Sequence, residues 1–258
     1  MAADDFEVTE DAFLDGRLVL TQPKRGHRAG HDAILLAAAT AARPGEHVID
    51  LGAGIGAAGL ALAARVPDVR VTLVELDGIL VTMATGNAAR NGFVERVRCV
   101  ELDVGAPARA FAQAGLQPES AARLMMNPPF NDPRRHRISP DRRRRLAHAA
   151  SAGNGLRVWV KTAARLLRPR GVLTLIWRAD GLVEVVAALA PAFGAVAVLP
   201  VHPKPGEAAI RVLVSAVKGS RAPLSIRPGL LLNDDAGNPT AEAEAVLRSG
   251  VPLSLGPA

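Results

Sequence analysis

Residues 48–56 read Val48-Ile49-Asp50-Leu51-Gly52-Ala53-Gly54-Ile55-Gly56, and they decide the fold. His47 to Leu51 is a short apolar run interrupted by one acid, the pattern of a strand covered on both faces. Three glycines at alternate positions follow, and Ile55 to Arg65 reads as a helix. A Gly-rich turn between a strand and a helix lets a backbone approach a ligand closely, because no Cβ intervenes. In open α/β sheets that turn lies at the carboxyl end of the strand, where ligands bind. The string alone leaves the ligand open. Gly52-x-Gly54-x-x-Ala57 also fits a dinucleotide fingerprint, and a plain tight turn would look similar.

Outward from this turn, strands and helices alternate. Strands are expected at Arg70 to Glu75, Val97 to Leu102, Arg123 to Met126 and Val172 to Trp177. Helices are expected at Ile79 to Asn91, Ala106 to Ala114, Leu156 to Leu167 and Leu182 to Leu189. Pro169-Arg170-Gly171 reads as a turn. The rhythm implies a parallel sheet with helices on both faces. Ala195 to Val201 and Ile210 to Val217 are two strands without a helix between them, so one of them runs antiparallel. Before the core, Phe13 and Leu14, then Asp15-Gly16, then Leu18 to Leu20 form a hairpin pattern. Asp32, near the favoured N-cap position, starts a helix running through about Ala42. The expectation is a single domain, 1–258, with a hairpin and helix extension over 1–41, a Rossmann-like core over 42–219 and a tail over 220–258. In that tail Leu230-Leu231-Leu232 packs on the body and Ala241 to Arg248 forms a short helix.

The 258 residues are 49% hydrophobic and 22% charged, an ordinary globular balance. Aromatic residues are only 3% and Tyr is absent, so Ala, Val, Leu and Ile must build the core. The single cysteine, Cys99, cannot form an internal disulfide and sits in an apolar strand pattern, which reads as core filler in a reducing cytoplasm. The acidic N-terminus lacks the apolar stretch of a signal peptide, and no apolar run approaches the roughly 20 residues of a membrane span. A cytoplasmic chain with no membrane partner is expected. No metal-ligand spacing is visible. The net charge of +6 makes a polyanion a reasonable partner class.

Two acids sharpen the cofactor reading. Glu75 ends the second core strand, where a carboxylate can accept hydrogen bonds from both ribose hydroxyls. Asp103 follows the third, where a carboxylate can accept from an adenine amino group. Leu76 and Val104, next in the chain after each acid, belong to the same site. These residues resemble the class I methyltransferases, a family with a seven-stranded Rossmann-like sheet, mostly parallel with one antiparallel strand. The resemblance implies S-adenosyl-L-methionine as cofactor. It places Asp50 near the methionine part, and Gly52, Ala53, Gly54 and Gly56 beneath the cofactor.

The fourth core strand ends in Leu124-Met125-Met126-Asn127-Pro128-Pro129-Phe130. A stiff strand exit would account for the prolines, which fix φ and lack an N–H. It does not account for the Asn. The amine of adenine, or a side-chain amide, is a poor nucleophile because its lone pair is delocalised. Two hydrogen bonds accepted from its N–H groups favour a pyramidal nitrogen with the lone pair aimed outward. Asn127 can offer its side-chain carbonyl and Pro128 its backbone carbonyl, held by the rigid Pro128-Pro129 unit. Phe130 can stack on a flat acceptor. Positioning and electrostatic help then carry the catalysis, with no protein nucleophile. The four residues resemble the Asn-Pro-Pro-Tyr/Phe motif of amino-group methyltransferases, which implies that Asn127 also borders the cofactor.

Arginines crowd the segment after Phe130: Arg134, Arg135, Arg137 and Arg142 to Arg145. A run of like charge is usually a solvated face, but here it adjoins the proposed acceptor pocket and suits phosphate contacts. The basic stretch from Lys24 to Arg28 can join it. Gly26-His27-Arg28-Ala29-Gly30-His31-Asp32-Ala33-Ile34-Leu35-Leu36, the Asn-Pro-Pro-Phe string, Arg211-Val212-Leu213-Val214 and Lys218-Gly219 together resemble bacterial tRNA adenine methyltransferases of the valine-tRNA type. That resemblance implies RNA, tRNA in particular, as partner. The rival expectations are a protein-glutamine N-methyltransferase using the same pocket, a Rossmann-type oxidoreductase, and an RNA-binding module without activity. Replacing Arg142 to Arg145 by Ala should weaken RNA binding and flatten its salt dependence, by about 0.7 to 0.9 in log–log slope per lost phosphate contact. Titrations at several salt concentrations check this, and an unchanged slope returns the run to a solvated face.

Overall fold

Apart from Asp50, the run from Val48 to Leu51 is apolar, and all four residues are buried. Such a strand is stable only inside a sheet covered on both sides. A computed structural model of the chain, describing residues 7–24, 28–129 and 155–255, places it at the centre of one. The elements are β1 (Val8–Phe13), β2 (Leu18–Pro23), α1 (His31–Ala39), β3 (His47–Leu51), α2 (Ala57–Arg65), β4 (Arg70–Glu75), α3 (Gly78–Arg90), β5 (Val97–Glu101), α4 (Ala108–Gln113) and β6 (Ala121–Met126). They continue with α5 (Gly155–Leu166), β7 (Leu167–Arg178), α6 (Leu182–Leu189), β8 (Phe193–His202), β9 (Arg211–Lys218), β10 (Ser225–Ile226), β11 (Leu230–Leu231) and α7 (Ala241–Leu247).

The main sheet runs β10-β8-β9-β7-β6-β3-β4-β5, with β11 also paired to β8. Only β9 runs antiparallel to its neighbours, β7 and β8. The expected mixed sheet with one antiparallel strand is therefore present, but it has nine strands among the described residues, not seven. The two extra strands are two-residue pieces of the tail, laid parallel on β8. Strands this short have no period of their own, so only the pairing surface of β8 reveals them.

Side-chain alternation divides the core. Val48, Leu73 and Met125 face the layer of α1, α2 and α3, whereas Ile49, Leu51, Val74, Leu124 and Met126 face α4, α5 and α6. β1 and β2 form a separate hairpin joined by the turn Leu14 to Arg17. Two local expectations shift. α1 starts at His31, with Gly30 as the cap residue, so Asp32 lies in the first turn and instead accepts a bond from Arg211 at 3.0 Å. Arg168 to Gly171 is an irregularity within β7: Ala121 pairs with Leu167, and Arg123 with Val172. No helix among the described residues is long and apolar enough to cross a membrane.

Arg123 inside the sheet donates to Glu46 at 3.1 Å, and both side chains are largely buried. Removing one member of a buried pair leaves the other charge uncompensated, at a cost of about 3–5 kcal/mol. Arg123→Leu should lower the denaturation midpoint accordingly, while Arg123→Leu combined with Glu46→Leu should recover most of the loss.

Candidate active site

The site lies along the carboxyl ends of β6, β3, β4 and β5. Leu51 pairs with Met126 and with Val74, so Gly52 and Asn127 leave adjacent strands side by side, with Glu75 next across. The amides of Gly52 and Ala53 both donate to the Val74 carbonyl, at 2.8 and 3.0 Å, which folds the turn back over β4. Gly52 has φ +70°, and a Cβ there would run into the Trp159 ring. Gly54 has φ +58° with open space where a Cβ would stand. A ligand can therefore lie against the Gly54 backbone without moving any side chain.

Glu75 braces this turn. Its Oε2 accepts from Gly54 N at 2.9 Å, and its Oε1 accepts from Leu76 N and Asp77 N at 2.8 and 3.0 Å. A carboxylate offers about four acceptor positions, so Oε2 keeps capacity for another donor. The Leu76 side chain beyond it is 48% exposed, an apolar surface at the strand end. Asp103 is exposed and accepts from Gly105 N at 2.7 Å. Val104 is buried, and its carbonyl accepts from Thr162 Oγ1 at 2.9 Å.

Asp50 sits behind the turn, 2% exposed. Its Oδ2 accepts from Gly59 N at 3.0 Å, one of the free amides at the start of α2. Gly56 precedes α2 and has no side chain to cap it, so a strand residue does so. Burial pushes the Asp50 carboxyl up to about 7; the Gly59 amide opposes the rise and the charge of Glu75 adds to it.

In the acceptor string, Asn127 is half-buried, Pro128 buried and Pro129 exposed. Phe130, Arg134, Arg135, Arg142 and Arg143 lie outside the described residues. Lys24 pairs with Glu7 at 3.1 Å on the surface. Arg28 donates to Thr9, to the Pro23 carbonyl and to Asp11, so its guanidinium is engaged within the hairpin. Burial pushes the Cys99 thiol up from its ordinary value, which disfavours the reactive thiolate. Among the described residues no cluster of three or more His, Cys, Asp or Glu could hold a metal.

Sequence reasoning missed Trp159 and Asn87. Trp159 covers Gly52 from α5, and Asn87 on α3 donates to the Ile55 carbonyl at 3.1 Å. Trp159 is one of only two tryptophans, a signal available but unused. Asn87 looks like any polar residue of an exposed helix face.

A family model described as methyltransferase small domain matches residues 30–204. The tRNA1(Val) (adenine(37)-N6)-methyltransferase of Porphyromonas gingivalis is 30% identical over 68% of this chain and 68% of its own. The release factor glutamine methyltransferase of Chlorobaculum tepidum is 33% identical over 72% of this chain and 64% of its own. The crystal structure of a predicted O-methyltransferase from Agrobacterium tumefaciens superposes with TM-score 0.72 at 33% identity, covering 86% of this chain and 97% of that one.

The position of Asp50 has a consequence for pH. With a folded value near 7 against 3.8 for a free carboxyl, the folded chain keeps a proton that the unfolded chain has released. The associated stability is complete below about pH 4 and is lost as pH rises through about 7. Relative to Asp50→Asn, the wild-type chain should lose on the order of 4 kcal/mol across that window. Denaturant titrations of both proteins from pH 4 to 8 measure it, and a constant difference would contradict it.

Proposed function

The chain belongs to the methyltransferase small domain family, and from that premise we propose that it transfers a methyl group from S-adenosyl-L-methionine to the exocyclic amine of an adenine in RNA, specifically tRNA. The observation that carries this reading is the juxtaposition of Gly52 and Asn127 at the ends of paired strands. It supports a reading in which a cofactor turn and an amine-accepting Asn stand side by side. Several relatives at about this level of identity are tRNA1(Val) (adenine(37)-N6)-methyltransferases, which supports adenine in tRNA as acceptor.

The residues present fit the cofactor. Gly54 leaves space for a ligand against its backbone. Glu75 Oε2 can accept from a ribose hydroxyl, Leu76 can pack on the adenine ring, and Asp103 can accept from its amino group. Asp50, Gly52, Ala53 and Gly56 hold the turn beneath the methionine part, and Val104 backs the adenine pocket. When bound, the cofactor supplies an electrophilic methyl on a sulfonium.

The acceptor side rests on the chain's own carbonyls. Asn127 Oδ1 and the Pro128 carbonyl accept the two N–H groups of the amine, which turns its lone pair toward the methyl donor. Phe130 stacks on the base, and the pyramidal, developing positive nitrogen is stabilised by the same two carbonyls. The proton leaves to water after transfer. A base in an anticodon loop is unpaired or easily splayed, so presenting it to the pocket costs little. The arginines Arg134, Arg135, Arg142 and Arg143, with Lys24, are assigned to phosphate contacts, and Arg28 to holding the loop that carries Lys24.

A glutamine amide in a protein is the second reading. The same two carbonyls could grip it, and the release factor glutamine methyltransferase relative favours it. Asn127→Ala should leave S-adenosylmethionine affinity within about threefold of wild type while lowering methyl transfer to tRNA by at least about a hundredfold. Calorimetry and a radiolabel transfer assay read the two effects. Loss of cofactor affinity in a folded variant would remove Asn127 from the acceptor role.

A further inference from the structure

Asn87 is fully buried in the last turn of α3. A buried amide must find partners for its donors and its acceptor, and Asn87 finds them on two other elements. Its Oδ1 accepts from Thr21 N at 2.7 Å, and its Nδ2 donates to Thr21 O at 3.0 Å and to Ile55 O at 3.1 Å. One turn later, Asn91 does the same to Val19. Its Oδ1 accepts from Val19 N at 3.0 Å and its Nδ2 donates to Val19 O at 2.8 Å.

The spacings match. Four residues of helix rise about 6 Å, and two residues of strand span about 6.8 Å. The two amides of α3 thus take the place of a neighbouring strand along the outer edge of β2. They close an edge that would otherwise be open to pairing. The two differ in one respect. Asn91 holds only the hairpin and its own helix, whereas Asn87 also reaches the Ile55 carbonyl, between Gly54 and Gly56 in the cofactor turn.

We propose that Asn87 is a positioning residue for the cofactor turn, fixing the Ile55 carbonyl through its Nδ2 while its bonds to Thr21 seat the N-terminal hairpin. The inference rests on the reading of residues 52–56 as the cofactor cradle. With the Nδ2 bond absent, the Ile55–Gly56 peptide keeps its Gly56 amide on the Ala53 carbonyl at 2.9 Å but loses the restraint on its carbonyl end, and Gly54 on its amino side is held less firmly. Cofactor binding then has to order the turn, and that cost appears as lost affinity.

Full-length wild type, Asn87→Ala and Asn91→Ala test it, with S-adenosylmethionine and S-adenosylhomocysteine binding measured by calorimetry and both KM values measured with tRNA. Asn87→Ala should weaken cofactor affinity about tenfold or more, the scale of one lost hydrogen bond. Its cofactor KM should rise while its KM for tRNA stays within about twofold. Asn91→Ala should lower the melting temperature but keep cofactor affinity within about threefold. Equal loss in both variants would reduce Asn87 to a hairpin anchor, and wild-type affinity in Asn87→Ala would remove any role in the turn; either overturns the proposal. If Asn87→Ala fails to fold, Asn87→Asp, which keeps the acceptor for Thr21 and loses the amide donors, is read by the same criteria. A wild-type chain that binds neither compound overturns the cradle reading itself, whereas wild-type binding with unaltered variants overturns only the role of Asn87.

Discussion

The turn from Gly52 to Gly56 belongs to neither a strand nor a helix, yet it is packed against the sheet; apart from the Gly56 amide on the Ala53 carbonyl, its polar groups need partners from outside. Much of the surrounding structure follows from that constraint. The Val74 carbonyl takes two of its amides and Glu75 takes a third, while Asn87 supplies a donor to Ile55. Asp50 takes the Gly59 amide at the start of the following helix. These partners come from β3, β4 and α3, so the packing of three elements is tied to the needs of five residues. The same bonds leave open space beside Gly54, and a preformed surface of that kind suits the proposed cofactor cradle.

Much of this was legible in the sequence because it is local. β3 and β4 were read to their last residues, since short Val, Ile and Leu runs bounded by Gly or Asp admit few alternatives. The unhelical pairing of β8 and β9 announced the antiparallel strand. Errors occur where a distant partner decides. Asp32 looks like a cap, but Arg211, far along the chain, claims it. The bulge at Arg168 to Gly171 resembles a free turn until its pairing with β6 is seen. β10 and β11 exist only because β8 offers them an edge. At the site, the glycines and acids carried their own signal. Trp159 and Asn87 did not, because their roles depend on which elements pack over the turn.

The fold narrows the chemistry without choosing the acceptor. Proteins similar to this chain carry an adenine, a glutamine or an oxygen acceptor in their names, as expected when function resides in grafted sites. The proposal of an amine acceptor rests on Asn127 beside Gly52, with two prolines at the strand exit. The proposal of RNA over protein rests on charge, since arginines concentrate in the sequence after Phe130.

The most direct measurement is to incubate the purified chain with labelled S-adenosylmethionine and either tRNA or a protein extract, then digest each to nucleosides or amino acids and identify the labelled product by mass spectrometry. The account predicts label in N6-methyladenine from tRNA, dependent on Asn127. Label in methylglutamine from protein with none in tRNA would contradict it.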